Sequence, residues 1–233
     1  MIVRASFKCS SEKISQVPKD KLPDIAFIGR SNVGKSSLIN MLTQHKGLAK
    51  VSATPGKTRL INHFTINDSW DLVDLPGYGY AKVPKAEKER WAKLIESYFA
   101  HPDYITLGVL IVDARHKPTA DDVTMCDWFR GTGCPMIVVA NKLDKLKKSQ
   151  VEPALALIRE TLELTDEDVL VPFSAEKGIT GHSSGSSRSC RITSKLPRIW
   201  LFFTLSSLLA TTMKGHPLSI NHLAMVMSLL VGA

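Results

Sequence analysis

Residues Gly29-Arg30-Ser31-Asn32-Val33-Gly34-Lys35-Ser36 follow the pattern G-x-x-x-x-G-K-[ST], and their flanks narrow the folds able to carry them. The run before, Asp24-Ile25-Ala26-Phe27-Ile28, is apolar and strand-like. The run after, Ser37-Leu38-Ile39-Asn40-Met41-Leu42, has helical character. A strand–loop–helix context distinguishes a phosphate loop from a glycine turn beside an incidental lysine. In such a loop, successive backbone N–H groups and the helix N-terminus converge on phosphate oxygens. The sequence therefore predicts that Gly29, Arg30, Ser31, Asn32, Val33, Gly34, Lys35 and Ser36 wrap the phosphates of a nucleotide. Lys35 would reach the outer phosphates, and the Ser36 hydroxyl would ligate Mg²⁺.

Three further stretches follow in the order a guanine nucleotide site needs. Asp74-Leu75-Pro76-Gly77 ends the apolar run from Trp70. Asp74 there can hold Mg²⁺ through water, and the Gly77 amide can bond a γ-phosphate. Asn141-Lys142-Leu143-Asp144 ends the run Met136 to Ala140. Asp144 can accept hydrogen bonds from guanine N1–H and the N2 amine, donors that adenine lacks at those positions, so ATP would leave the carboxylate unpaired. Ser174-Ala175-Glu176-Lys177 follows Val169 to Phe173, and its backbone can contact the guanine carbonyl. Alone, each stretch is an ordinary polar loop at a strand end; together, in order, they predict GTP and GDP as ligands. The polar segment 46–59 lacks periodicity and reads as a loop. Thr58 within it is the residue expected on Mg²⁺ and the γ-phosphate, with Thr54 as the rival hydroxyl, so that loss of the γ-phosphate releases the loop.

A chain of 233 residues can bury one substantial core. Its strand-like and helix-like runs alternate, which predicts an α/β fold with a mostly parallel sheet and helices on both faces. Trp91, Leu94, Ile95, Tyr98 and Phe99 share one stripe of a helix expected over 85–100. A second helix starts at Thr119 with a capping box to Asp122 and ends at Gly131; a third runs through Pro153 to Leu164. Cys9, Cys126, Cys134 and Cys190 form no C-x-x-C pair and predict free thiols in a reducing cytosol. Residues 1–24 carry charges and no long apolar core, so no signal peptide is expected. The formal charge of +8 suits an RNA surface, with Lys142, Lys145, Lys147 and Lys148, or Lys46, Lys50, Lys57 and Arg59, as its two candidates. Solvated surface lysines account for them equally well, and no RNP, KH or zinc pattern supplies base-reading chemistry.

The phosphate loop with Ser37-Leu38-Ile39-Asn40, the segment Thr54-Pro55-Gly56-Lys57-Thr58, and Asp74-Leu75-Pro76-Gly77-Tyr78-Gly79-Tyr80-Ala81 together resemble the TrmE–Era–EngA–EngB group of translation-factor-like GTPases. The Gly-Tyr-Gly-Tyr-Ala extension is similar to that of the EngB (YihA/YsxC) family. The resemblance spans about Pro23 to Gly178. It implies a three-layer G domain over 23–178 with a six-stranded sheet, preceded by an extension over 1–22. It also implies a cytoplasmic, monomeric GTPase that assists large ribosomal subunit assembly, with its rRNA as partner, and a link to cell division and septation. The GTP-contacting set it implies adds Gly56, Lys57, Arg59, Leu60, Leu75, Pro76, Lys142, Leu143, Phe173, Ser174 and Ala175. Tyr78 stands where Ras-like enzymes carry a water-orienting glutamine, and a tyrosine on a mobile loop predicts slow hydrolysis. Related potassium-dependent GTPases hold K⁺ with an asparagine at the position of Asn32. Asn32 therefore has two readings, a K⁺ ligand that accelerates hydrolysis or a residue that only stabilises its turn.

Composition changes after Gly178. Residues 179–233 hold no Asp or Glu, while residues 1–178 hold all 22 acidic residues and 25 of the 30 basic ones. The folded part therefore carries only +3. Ser183 to Ser189 is low-complexity and linker-like. The uncharged run Ile199–Met213 is shorter than the ~20 residues of a membrane span, and the run after it is broken by Gly215, His216 and Pro217. No membrane anchor is expected. In EngB relatives a closing helix of alternating charged and apolar residues begins here, and this chain lacks that pattern. A shifted reading frame near codon 178 or a disordered tail accounts for the loss. Leu196–Ala210 as a substitute helix, or a defective product with an incomplete domain, are the competing expectations.

Overall fold

A computed structural model of the chain describes residues 2, 4–20, 22–50, 60–79, 84–101, 104–166 and 168–174. Runs such as Val109–Val112 and Ile137–Val139 are continuously apolar, as strands covered on both faces must be. They form β5 (Leu107–Asp113) and β6 (Met136–Asn141), beside β2 (Asp24–Gly29), β4 (Trp70–Asp74) and β7 (Val169–Pro172). β2 pairs in parallel with β4 and β5, β5 with β6, and β6 with β7. The sheet order is β1-β3-β4-β2-β5-β6-β7. Among the described residues it carries seven strands rather than the expected six. The additional one is β1 (Ala5–Ser11), which pairs antiparallel with β3 (Ile61–Ile66), itself antiparallel to β4. The charges of this N-terminal segment hide its strand character, because an edge strand tolerates polar side chains.

Helices stand on both faces, as the alternation predicts. The side chains of α2 (Lys85–Phe99), α3 (Ala120–Thr132) and α4 (Lys148–Thr161) pack in one cluster with Ala26, Ile28, Val73, Leu110, Val112 and Val138. Leu38 and Ile39 of α1 (Lys35–Leu42) join Ile25, Phe27, Val109, Ile111 and Val139 in the other. On α2, Leu94, Ile95, Tyr98 and Phe99 are buried, so the apolar stripe is core. Thr119 caps α3 with its partner Asp122, as expected, but the helix runs to Thr132 and closes on Gly133 in the left-handed region, two residues past Gly131. α4 starts at Lys148, where Gln150 Oε1 accepts from the Lys147 amide at 3.0 Å, runs through Pro153 as expected and ends at Thr161, three residues before Leu164. The parallel pairings of the inner strands end at one edge, where β2 leads into α1 and β4 into Leu75–Tyr78. The tail, with its apolar runs and linker, lies outside the described residues. Among the described residues, no helix is long and apolar enough to cross a membrane.

Candidate functional site

The loop between β2 and α1 turns because two of its positions have no room for a side chain. A Cβ on Gly29 would lie 2.7 Å from Ile111 O and 2.9 Å from Val33 Cγ1. Gly34 has φ +98°, and its Cβ would lie 2.4 Å from Asn141 Nδ2. Both substitutions would force backbone or a tethered amide to move. Lys35 opens α1 and pairs its ammonium with Asp74 Oδ1 at the end of β4; both side chains are buried. Removing one partner of a buried pair would leave the other uncompensated, so the two side chains hold each other in place at the start of α1 and the end of β4. Gly77 sits against the loop, since a Cβ there would be 3.2 Å from Gly29 O and 3.5 Å from Ser31 N. The Ser31 amide donates to Tyr78 O at 2.8 Å. The predicted phosphate loop and the Asp74–Gly77 stretch therefore form one surface, with Leu75 fully buried beneath it.

A second set of bonds ties this surface to the Asn141–Asp144 stretch. Asn141, 1% exposed, donates from Nδ2 to Val33 O at 2.7 Å, and its Oδ1 accepts from the Lys142 amide at 2.8 Å. Lys142 Nζ donates to Asn32 O at 2.5 Å and to Asp113 Oδ2 at 2.9 Å. Burial opposes ionisation of Asp113, but hydrogen bonds from Arg115 and Lys142 outweigh it and hold the carboxyl well below the usual carboxylate range. The Leu143 amide donates to Phe173 O at 3.2 Å, and Ser174 Oγ donates to Asp144 Oδ1 at 2.6 Å. The Ser174 hydroxyl is the first cause of the lowered Asp144 pKa, and the ionised carboxylate is a pure acceptor. The structure thus brings together the phosphate loop, Asp74–Gly77, Asn141–Asp144, Phe173 and Ser174. Asn32 is exposed in the left-handed region (φ 61°), and its side chain makes no hydrogen bond among the described residues. Leu60 is half-buried just before β3. Gly56, Lys57, Thr58, Arg59 and Ala175 lie outside the described residues, as does the rival Thr54.

Ser36, in the first turn of α1, and Asp74 offer a hydroxyl and a carboxylate. This all-oxygen donor set fits Mg²⁺ rather than a softer ion. Two of the lysine candidates for an RNA surface are less available than their spacing implies, because Lys142 is paired with Asp113 and Lys145 with Asp144.

The placement of Tyr78 differs from the one expected. Tyr78 is not on a mobile loop: it is 1% exposed, and its hydroxyl donates to Asp122 Oδ1 at 2.5 Å. Its ring stands 6.3 Å from that of Trp91. It points into the helix-covered cluster because a large aromatic ring gains more from burial there than from solvent. Asp113 and the second role of Asp122 escape sequence reasoning. Asp113 ends β5 beside Asn141, which the parallel register alone reveals; Asp122 is legible only as a cap.

A family model described as a 50S ribosome-binding GTPase, MMR_HSR1, matches residues 24–142. The chain is 54% identical over 174 residues to a probable GTP-binding protein EngB of Clostridium botulinum, covering 75% of this chain and 88% of that protein. It is 48% identical over 177 residues to a probable GTP-binding protein EngB of Exiguobacterium sibiricum, covering 76% of this chain and 92% of that one. Among solved structures, a probable GTP-binding protein EngB superposes with a TM-score of 0.56 at 31% identity, covering 66% of this chain and 90% of that one. A point variant of Aquifex aeolicus Era bound to GDP and AlF4⁻ gives 0.53 at 26%, covering 68% and 53%. With the same motif order in the sequence and the same sheet beneath it, the chain belongs to the MMR_HSR1 GTPases and, within them, to the EngB GTP-binding proteins.

Proposed function

We propose that this chain binds GTP and GDP across the surface formed by residues 29–36, 74–77, 141–144 and 173–174, and hydrolyses GTP slowly. The observation that carries the reading is the bond from Asn141 Nδ2 to Val33 O, reinforced by Lys142 Nζ to Asn32 O. These bonds hold a base-recognising stretch at a constant offset from a phosphate loop, so one ligand must satisfy both. Asp144, held ionised by Ser174, accepts from the guanine N1–H and N2 amine; Lys35 and the loop amides hold the outer phosphates. Ser36, with Thr58 from the segment 51–59, would hold Mg²⁺, which when bound neutralises phosphate charge. Gly77 then offers its amide toward the γ-phosphate, and Thr58 makes the following response dependent on that phosphate.

Slow turnover is supported by Tyr78, whose hydroxyl is committed to Asp122 and offers nothing to an attacking water. The same observation favours a second reading, a GTP-sensing module with negligible hydrolysis, which multiple-turnover phosphate release separates from the first. The exposed Asn32 side chain supports K⁺ as an accelerating ion. By the family description and the resemblance, the partner is the large ribosomal subunit or its rRNA, the setting cytoplasmic, the chain monomeric, and a link to cell division and septation follows. Residues 23–178 form the G domain in this reading, and 179–233 come from a shifted frame, which sequencing the gene tests. Titration of the full chain with GDP and ATP, with Mg²⁺ and with chelator, tests the central claim. Mg²⁺-dependent GDP binding with no competition from ATP is expected; equal binding of ATP would overturn it.

A further inference from the structure

The Asp122 carboxylate serves two partners at once. Its Oδ2 accepts from the Thr119 amide at 2.6 Å and the Thr119 hydroxyl at 2.7 Å, capping α3, while Oδ1 takes the Tyr78 hydroxyl at 2.5 Å. Tyr78 is tied at its other end too, since its carbonyl accepts from the Ser31 amide of the phosphate loop at 2.8 Å. Between those anchors and the loop lies Gly77, close against Gly29 and Ser31. Burial first, then the Asp122 charge, raises the Tyr78 pKa well above its ordinary value, so the phenol is always the donor in this bond. Trp91 of α2 packs against the ring, and the Arg30 side chain closes over Gly79. The segment is thus clamped from the phosphate loop, from α2 and from the N-terminus of α3.

We propose that Tyr78 and Asp122 are positioning residues for GTP hydrolysis: through the α3 cap they hold Gly77 in place against the phosphate loop, without touching the nucleotide. The inference rests on the GTPase reading. A bond to a charged acceptor in a buried setting is strong enough to fix an otherwise irregular segment. Positioning of this kind affects the step in which the γ-phosphate is held and transferred, and leaves GDP, which lacks that phosphate, unaffected.

The test uses Tyr78→Phe in the full chain, which keeps the ring and removes only the hydroxyl. Single-turnover hydrolysis, affinity for a non-hydrolysable GTP analogue, affinity for GDP and Tm are measured together. Hydrolysis about tenfold slower, weaker analogue binding and unchanged GDP affinity are expected. Asp122→Asn shifts the same quantities in the same direction, and the double variant shows no further loss, as one shared interaction requires. Ile66→Val, a buried change at the opposite edge of the sheet, serves as the stability control and lowers Tm without changing the ratio of the two affinities. The proposal is overturned if Tyr78→Phe retains wild-type hydrolysis and affinity ratio. It is equally overturned if GTP-analogue and GDP affinities fall together in step with Tm. A wild-type chain that binds neither nucleotide would instead remove the GTPase reading on which the inference stands.

Discussion

Replacing Asn141 by Ala removes a buried side chain that fastens the base stretch to the phosphate loop. The bonds lost include Nδ2 to Val33 O at 2.7 Å and Oδ1 from the Lys142 amide at 2.8 Å. Val33 is 2% exposed, so its carbonyl gains no water in exchange, whereas the Lys142 amide lies at a partly exposed turn. A buried polar group left without its partner costs about 1–3 kcal/mol, so the Val33 carbonyl dominates and the total is about 2–3 kcal/mol. Because the bond exists in the ligand-free fold, part of the loss falls on stability, at about 2–4 °C of Tm per kcal/mol for a domain of this size. The rest falls on binding, because the nucleotide must then order the loop itself; 1.4 kcal/mol there is about tenfold in Kd. Calorimetric titration with GDP and melts with and without ligand separate the two parts. Asn141→Asp sharpens the test, since it sets a carboxylate oxygen against the Val33 carbonyl and is expected to bind GDP no better than Asn141→Ala. A GDP affinity within about twofold of wild type in either variant would refute the coupling.

Four further outcomes follow. Asp144→Asn replaces an acceptor pair with a donor and acceptor, so GTP affinity falls about a hundredfold while xanthosine triphosphate, which carries a carbonyl at the N2 position, gains; competition binding reads both. Asp24, buried beside Asp71 with Lys8 and Asp20 nearby and the Tyr98 hydroxyl at 3.5 Å, has its pKa raised from 3.8 to about 8, by burial first and the Asp71 charge second. A raised folded pKa means stability is lost as pH rises from about 4 to about 8, so Asp24→Asn raises Tm more at pH 8 than at pH 5; equal gains would contradict it. In the same variant, burial of His63 with its pKa lowered to about 4 leaves stability falling as pH drops from about 6.5 to about 4. Finally, GTP hydrolysis is faster in KCl than in NaCl at equal ionic strength, and identical rates would remove Asn32 as a K⁺ ligand.

The chemistry was legible in the sequence wherever a residue type is forced by a local rule. Gly34 must be glycine because its φ is +98°, Thr119 and Asp122 are a capping pair because α3 needs its first donors satisfied, and the stripe on α2 repeats at helical spacing. The features that were not legible depend on neighbours far along the chain. Lys8 lies in the edge strand β1, whose pairing with β3 no local pattern announces, and Asp113 meets Lys142 only because β5 and β6 run parallel in register.

Tyr78 shows the division most sharply. Its place directly after Asp74-Leu75-Pro76-Gly77 is a matter of the motif alone. Which way the ring points was decided by tertiary packing, since a side chain within reach of both solvent and a cluster of Trp91, Tyr98 and Phe99 is stabilised by the cluster. The Asp122 carboxylate then completes the choice by accepting the hydroxyl. Sequence determines the groups available to a guanine nucleotide site, because motif chemistry is local. Tertiary structure decides which of those groups face the nucleotide and which hold the others in place, because burial and long-range register are properties of the assembled sheet and helices alone.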